Sequence, residues 1–327
     1  MHASWFEDYG PAAEVLKVGE RETPEPGAGE VRVHVKASGV NPSDVKKRAG
    51  QQPALDDGWV IPHSDGAGVI DAVGRGVPSA RIGERVWVYQ AQYQRRFGTA
   101  AQYVCLPSSR AVRLPDRASF EVGACMGIPA MTAHRCVLAD GTVAGQAVLV
   151  TGGAGRVGHY AIQWAKWAGA RVVATAGSEA SAGHALAAGA DAVVNYRTGD
   201  VAAAVLEATD GARIDRVIDV EFGANLETTL KLITTGGVIA TYASLREPEP
   251  RLPFYRMMRA DIMLRCVLVY AMPEQAKRLA AADITRFLDE GRLLHRVAET
   301  YALADIANAH EAVESGKVQG CVVVQLP

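Results

Sequence analysis

The sequence predicts an α/β protein in which a β-rich part is joined to a doubly wound parallel sheet. Three observations predict it. Residues 30 to about 110 alternate apolar and polar with period two; from about 120 longer helical stretches separate brief apolar strands; and a glycine-rich turn links the first of those strands to a helix. The alternation is clear at Val31, Val33 and Val35, in Val69-Ile70-Asp71-Ala72-Val73 and in Arg85-Val86-Trp87-Val88-Tyr89. The later strands, Ala147 to Val150, Arg171 to Ala174, Ala192 to Val194, Val217-Ile218 and Val238 to Ala240, show no alternation. Strands of that kind are buried on both faces, and their alternation with helices describes βαβ units wound in the right-handed sense. After about 265 come a strand-like segment, Arg265 to Tyr270, two helical patterns and a last strand, Cys321 to Gln325, which periodicity alone assigns to neither part.

Length and composition bound the function. A chain of 327 residues has the ordinary length of two domains. Its 49% hydrophobic and 21% charged residues are those of a globular protein, and 33 glycines, above the usual roughly 7%, imply many tight turns. The net charge of -2, with both signs interspersed, gives no basic field for nucleic acid or an anionic membrane surface. The first residues lack a basic, then apolar, leader pattern and no run of about 20 apolar residues occurs, so a cytoplasmic location is expected. Five cysteines, Cys105, Cys125, Cys136, Cys266 and Cys321, are odd in number, widely spaced and free of CxxC pairs. Buried thiols, rather than disulfides or a structural zinc site, are the expectation.

The turn Thr151-Gly152-Gly153-Ala154-Gly155-Arg156-Val157-Gly158 follows Val148-Leu149-Val150 and opens a helix at Ala161 to Ala168, with a second strand starting at Arg171. In that context GxGxxG predicts a dinucleotide site: glycines allow the tight turn, the approach of backbone N–H groups to a pyrophosphate, and close helix–strand packing. The anion rests on the positive end of the helix. At the end of the second strand, where an acid would grip the ribose of NAD, stands Ala176. Ser178, Ser181, Tyr196 and Arg197 are polar or basic groups for a 2′-phosphate, so NADPH is the expected cofactor, with Glu179 the residue that argues for NADH.

Together with Gly39-Val40-Asn41-Pro42-Ser43-Asp44, Pro62-His63-Ser64-Asp65-Gly66-Ala67-Gly68, Ile82-Gly83-Glu84-Arg85-Val86 and Gly127-Ile128-Pro129-Ala130-Met131-Thr132-Ala133, the turn resembles the medium-chain dehydrogenase/reductase superfamily. Within it the chain is similar to the zinc-free NADPH:quinone oxidoreductases related to ζ-crystallin. The resemblance implies a GroES-like catalytic domain, residues 1–120 and 266–327, around a Rossmann domain, residues 121–265, with nicotinamide in the cleft between them. It also implies that Val267 to Val269 pair with the same strand of a second subunit in a homodimer. Zinc relatives carry Cys in the first block and His-Glu in the second, where this chain has Asn41 and Ser64-Asp65, poor zinc ligands. No metal site is expected; a packed histidine is the plainer reading of His63.

Without a metal to polarise it, an alcohol is a poor substrate, whereas quinones and conjugated enones accept hydride on an already electron-poor carbon. The expected substrate is a small hydrophobic electrophile. By resemblance, Asn41 borders the nicotinamide and substrate, and Thr132 lies near the nicotinamide. Lys46 stands where several quinone reductases have tyrosine; a desolvated lysine there would stabilise a developing anion, and a solvated basic turn with Lys47 and Arg48 is the alternative. Tyr89 and Tyr93 offer aromatic walls or plain packing. Phe222 to Asn225 and Tyr242-Ala243-Ser244 follow the fourth and fifth strands on the cofactor side. Phe222, Tyr242, Ser244, Val267 and Val269 are cofactor candidates, and by resemblance Lys317, one position from where some relatives place a basic residue, is a candidate for the 2′-phosphate. Quinone reduction is the leading expectation; reduction of activated C=C bonds, as in enones or haloacrylates, uses the same parts. A cofactor-binding crystallin-like or RNA-binding protein without important catalysis is the reading of another class, disfavoured by the charge.

Overall fold

The computed structural model describes residues 1–52 and 58–327. The chain divides into two compact units, Met1–Ile128 with Ala281–Pro327, and Pro129–Ala280. In chain order the first holds β1 (His2–Trp5), α1 (Ala12–Val15), β2 (Lys17–Glu20), β3 (Glu30–Val40), α2 (Pro42–Arg48), β4 (Asp65–Val73), β5 (Arg85–Val88), β6 (Tyr103–Pro107), β7 (Ala111–Arg113) and α3 (Phe120–Gly123). The second holds α4 (Met131–Leu138), β8 (Ala147–Val150), α5 (Arg156–Trp167), β9 (Arg171–Ala176), α6 (Glu179–Ala187), β10 (Ala192–Asn195), α7 (Val201–Ala208), β11 (Ile214–Asp219), α8 (Phe222–Leu232), β12 (Ile233–Thr241), α9 (Phe254–Arg259) and β13 (Met263–Cys266). The division falls inside α10 (Glu274–Glu290); β14 (Val297–Ala302), α11 (Ile306–Glu314) and β15 (Cys321–Gln325) return to the first unit.

In the first unit seven strands form one sheet, β14-β15-β3-β4-β5-β7 with β6 paired to β3. The period-two residues explain it: Val31, Val33, Val35, Ile70, Val86 and Val88 all turn inward and are fully buried, and Ile306, Ala309 and Val313 of α11 cover them with Val322 and Val324 of β15. Each such aliphatic side chain contributes about 1.5–3 kcal/mol by leaving water. In the second unit the six parallel strands run β10-β9-β8-β11-β12-β13, the doubly wound order that places its switch point between β8 and β11.

The two compact units meet in the chain after Ile128 and after Ala280, while the periodicity of the sequence changes near 120 and 265. Two elements differ from those expected. The strand-like run Arg265 to Tyr270 ends at Cys266, because Val269–Ala271 turn into a single 3-10 turn. Strand β14 was not expected; it pairs in parallel with β15. Four cysteines are buried, but Cys266 is exposed. Among the described residues no helix is long and apolar enough to cross a membrane.

Candidate active site

The glycine turn sits at the switch point. Gly152 has φ +65, a left-handed conformation that glycine adopts without strain. Its N–H donates to Thr175 Oγ1 at 3.0 Å, and the Gly153 N–H donates to the Thr175 carbonyl at 2.9 Å, tying the turn to β9. A Cβ on Gly153 would lie 2.8 Å from Ala174 Cβ, and one on Gly158 would lie 2.3 Å from the Gly152 carbonyl, so both are required for packing. Gly155 differs: its Cβ would meet only the Gly152 carbonyl, at 3.1 Å. It is the N-cap of α5, and among the described residues no side chain makes a capping hydrogen bond there. A helix start capped by glycine behind a tight turn has the geometry that can receive a phosphate. Ala154 is buried, while Arg156 and Val157 are half-buried in the first turn. On the other side of the switch point Asp219 Oδ1 accepts from Thr151 Oγ1 at 2.8 Å and Asn225 Nδ2 at 2.8 Å, locking β8 to β11 and α8.

At the end of β9 stands Ala176, which is buried. A Cβ on the next residue, Gly177, would lie 2.6 Å from Tyr196 Oη and 2.9 Å from Arg197 Nε, so Tyr196 and Arg197 close over this strand end. Their exposed side chains face each other, with the guanidinium 5.7 Å from the ring centroid. Ser178 caps α6 by accepting from the Ser181 N–H at 3.2 Å, and the two hydroxyls are 2.9 Å apart. Ser181 is buried, so of the two Ser178 is the exposed one. Glu179 is the exposed first residue of α6.

Phe222, Tyr242 and Ser244 line one cleft of about 470 Å³ with Thr241, Val267 and Cys266. Ser244 Oγ accepts from the Gly223 N–H at 2.9 Å, holding the segment after β12 against the start of α8. Val267 and Val269 are buried and Leu268, between them, is exposed. Thr132 is buried in the first turn of α4. Lys317 lies exposed on the turn between α11 and β15, in the first unit.

In that first unit Asn41 caps α2 and is buried. Its Nδ2 donates to Asp65 Oδ2 at 2.9 Å, which also accepts the Ile128 N–H at 2.7 Å; its own N–H donates to Asp44 Oδ2 at 2.8 Å. His63 is fully buried, with Nδ1 2.8 Å from Ser38 Oγ and Nε2 2.9 Å from His310 Nε2. These groups do not fit zinc: a carboxamide and a hydroxyl replace the soft ligands, and both His63 nitrogens are already used in hydrogen bonds. His63 is thus a packed histidine.

Burial pushes Asp65 well up and Asp44 to about 6, the latter partly offset by Lys47 and by hydrogen bonds, while it drives His63 down to about 3. Acid should therefore act on this wall in opposite directions. Below the ordinary imidazole value of 6.5 the unfolded chain binds a proton that folded His63 excludes, so its stabilisation is present above that pH and falls away down to about 3. For Asp44 the folded state binds the extra proton between about 6 and 3.8, and stability is gained as pH drops through that window. Each group is worth about 1.4 kcal/mol per pH unit. Asp44→Asn should then lose about 1.4 kcal/mol more per unit than the wild type between pH 6 and 4, read by urea unfolding. Parallel curves for the two proteins would show that Asp44 is ordinary.

The basic turn after Asn41 is not solvated. Lys47 and Arg48 are buried; Lys47 Nζ donates to Gln92 Oε1 at 2.5 Å, and Arg48 pairs with Glu314 at 2.8 Å. Burial lowers the Lys47 pKa, with Asp44 opposing. Lys46 is half-buried between them in sequence. The desolvated lysine of α2 is thus Lys47, a residue that spacing did not single out. Tyr89 is buried against Trp87, ring centroids 5.8 Å apart, and packs rather than forming a wall; Tyr93 is half-buried.

A split β-rich unit and a parallel sheet in doubly wound order with a bare glycine cradle define a medium-chain dehydrogenase/reductase. Known proteins agree: residues 27–116 match the alcohol dehydrogenase GroES-like domain family and residues 157–285 the zinc-binding dehydrogenase family. The chain is 31% identical over 316 residues to the quinone oxidoreductase of Homo sapiens, covering 95% of this chain and 93% of that protein. Its structure resembles that of an NAD-dependent alcohol dehydrogenase, with TM-score 0.90, 32% identity and full coverage of both chains. It also resembles the Escherichia coli quinone oxidoreductase complexed with NADPH, with TM-score 0.87, 26% identity, and coverage of 99% of this chain and 100% of that one. The chain belongs to the quinone oxidoreductase family of the medium-chain dehydrogenase/reductase superfamily, and it is an oxidoreductase.

Proposed function

We propose that the protein is a zinc-independent reductase that binds NADPH and reduces quinones. The observation that supports the reading is the buried Asn41–Asp65 pair: at the sequence positions where zinc relatives carry Cys and Glu, this chain has two groups that hydrogen-bond to each other. Bound NADPH supplies a hydride. The chain's own residues do the rest: the bare start of α5 holds the pyrophosphate, Tyr196 and Arg197 receive the 2′-phosphate, and Phe222, Tyr242 and Val267 support the cofactor. Asn41 and Thr132 orient nicotinamide and substrate, and Lys46 offers a cation to the anion that develops on the acceptor oxygen. An acceptor already electron-poor needs no more than these donors. The NADPH-bound quinone oxidoreductase relative supports this choice, and the alcohol dehydrogenase relative supplies the comparison.

Turnover of NADPH with 1,4-benzoquinone, with an α,β-unsaturated ketone and with a primary alcohol plus NAD tests the reading. Quinone should be the fastest acceptor, and added chelator should leave the rate unchanged. Enone turnover hundreds of times faster than quinone turnover would assign the protein to C=C reduction; chelator-sensitive alcohol oxidation would overturn metal independence. We also infer a homodimer through the outer edge of β13, where Met258, Met263 and Leu268 are about half exposed. Light scattering should give twice 34.7 kDa, and a monomer mass would refute it.

A further inference from the structure

A chain of hydrogen bonds runs from the C-terminal helix to the wall that holds Asn41, and its proton order is determined. Thr99 Oγ1 donates to the Asp65 carbonyl at 2.6 Å, because a carbonyl can only accept. With its one proton used, Thr99 must accept from Ser38 Oγ at 2.7 Å. Ser38, its own proton used, must accept from His63 Nδ1–H at 2.8 Å. Neutral His63 then presents a bare Nε2, so the contact of 2.9 Å to His310 requires the proton on His310 Nε2. Both rings are fully buried and stacked, with 23° between their planes, and burial lowers the pKa of each.

His63 also holds the left-handed backbone, φ +75, that non-glycine residues avoid. Such a conformation persists where surroundings over-determine it. Here they do: besides the two ring contacts, the His63 carbonyl accepts the Thr99 N–H at 3.0 Å and the Ser64 carbonyl accepts the Ala91 N–H at 3.0 Å. The next residue is Asp65, whose carboxylate grips Asn41.

We propose that His310 is a positioning residue: by donating from Nε2 it sets the His63 tautomer, and through Ser38 and Thr99 fixes the Asp65 turn that orients the Asn41 carboxamide. This rests on the reading of Asn41 as a residue of the active site. The relay has no role for a proton in transit; it supplies one arrangement of donors and acceptors in place of several.

Long-range proton–nitrogen spectra of the full chain labelled with 15N-histidine, at pH 7, test the relay directly. His63 should be neutral with its proton on Nδ1, and His310 neutral with its proton on Nε2. A proton on His63 Nε2, or a doubly protonated ring at either position, would overturn the proposal. Kinetics test the coupling to the site. His310→Leu, which removes the donor, should lower kcat about tenfold with KM for NADPH unchanged, and His310→Gln, which keeps a terminal N–H donor, should restore it. Equal rates for the leucine variant and wild type would dispose of the positioning role. Asn41→Ala with wild-type activity would refute the reading of Asn41 and the positioning role with it, while the tautomers would still be as stated.

Discussion

Asp140→Asn should destabilise the parallel-sheet unit by about 3–5 kcal/mol, the cost of breaking a buried ion pair from one side. The Asp140 side chain is 4% exposed and sits just past α4, between Arg216 of β11 and Arg265 of β13. Arg265 Nε reaches both carboxylate oxygens, at 2.8 and 2.7 Å, and Arg216 Nη1 donates to the Cys136 carbonyl at 3.0 Å and to Asp140 at 3.3 Å. Burial raises the Asp140 pKa, but the two guanidinium groups more than offset it, and the carboxyl ends below its ordinary value. With asparagine there, the fully buried Arg216 keeps its charge and loses its counter-ion. At about 2–4 °C per kcal/mol for a unit of this size, Tm should fall by about 10 °C. The double variant Asp140→Leu with Arg216→Met, which removes both charges from the interior, should fall less than Asp140→Asn. A Tm within 2 °C of wild type for the asparagine variant would mean that water already solvates this triad. Because α4 carries Thr132 in its first turn, the same variant should raise KM for NADPH before the protein unfolds.

What could be read in advance follows the range of the signal. Period-two alternation predicts β3, β4 and β5, and uniformly apolar runs predict β8, β9 and β10 nearly to the residue, since both report on the chain's immediate neighbours. The glycine turn is equally local: its spacing is the geometry. β14, Val-Ala-Glu-Thr-Tyr-Ala, also alternates, as its burial does, but alanines and an acid make a faint pattern, and pairing with β15 creates the strand. On α2 a step of 100° per residue separates Lys46 from Lys47, and the partner of the buried one, Gln92, lies 45 positions along the chain. The His63–His310 contact spans 247 positions and the Arg265–Asp140 pair 125; no window along the sequence holds both partners. The replacement of zinc ligands was legible only as a substitution pattern, and the Asn41–Asp65 bond at those positions is a product of β3 and β4 lying side by side.

Arg197→Glu should raise KM for NADPH about a hundredfold and leave KM for NADH within about threefold. A charge-assisted hydrogen bond contributes about 1.5–3 kcal/mol, or one to two decades at 1.4 kcal/mol each. Reversing the charge adds repulsion between a carboxylate and the 2′-phosphate, which places the loss near the top of that range. Arg197 is exposed, so its replacement leaves no buried charge behind and the fold should stay intact. On the proposed reading, the closeness of Tyr196 Oη and Arg197 Nε to Gly177 assigns the discrimination of the two cofactors to this strand end rather than to Lys317 or Ser181. Lys317→Ala should therefore change KM for NADPH less than threefold. Ala176→Asp tests the same corner from the opposite side: a carboxylate at the end of β9 grips the ribose hydroxyls of NADH and repels the phosphate of NADPH, so preference should invert. Equal losses of NADH and NADPH in the Arg197 variant would mean that the residue serves the fold. An unchanged KM for NADPH would move the 2′-phosphate away from this corner altogether.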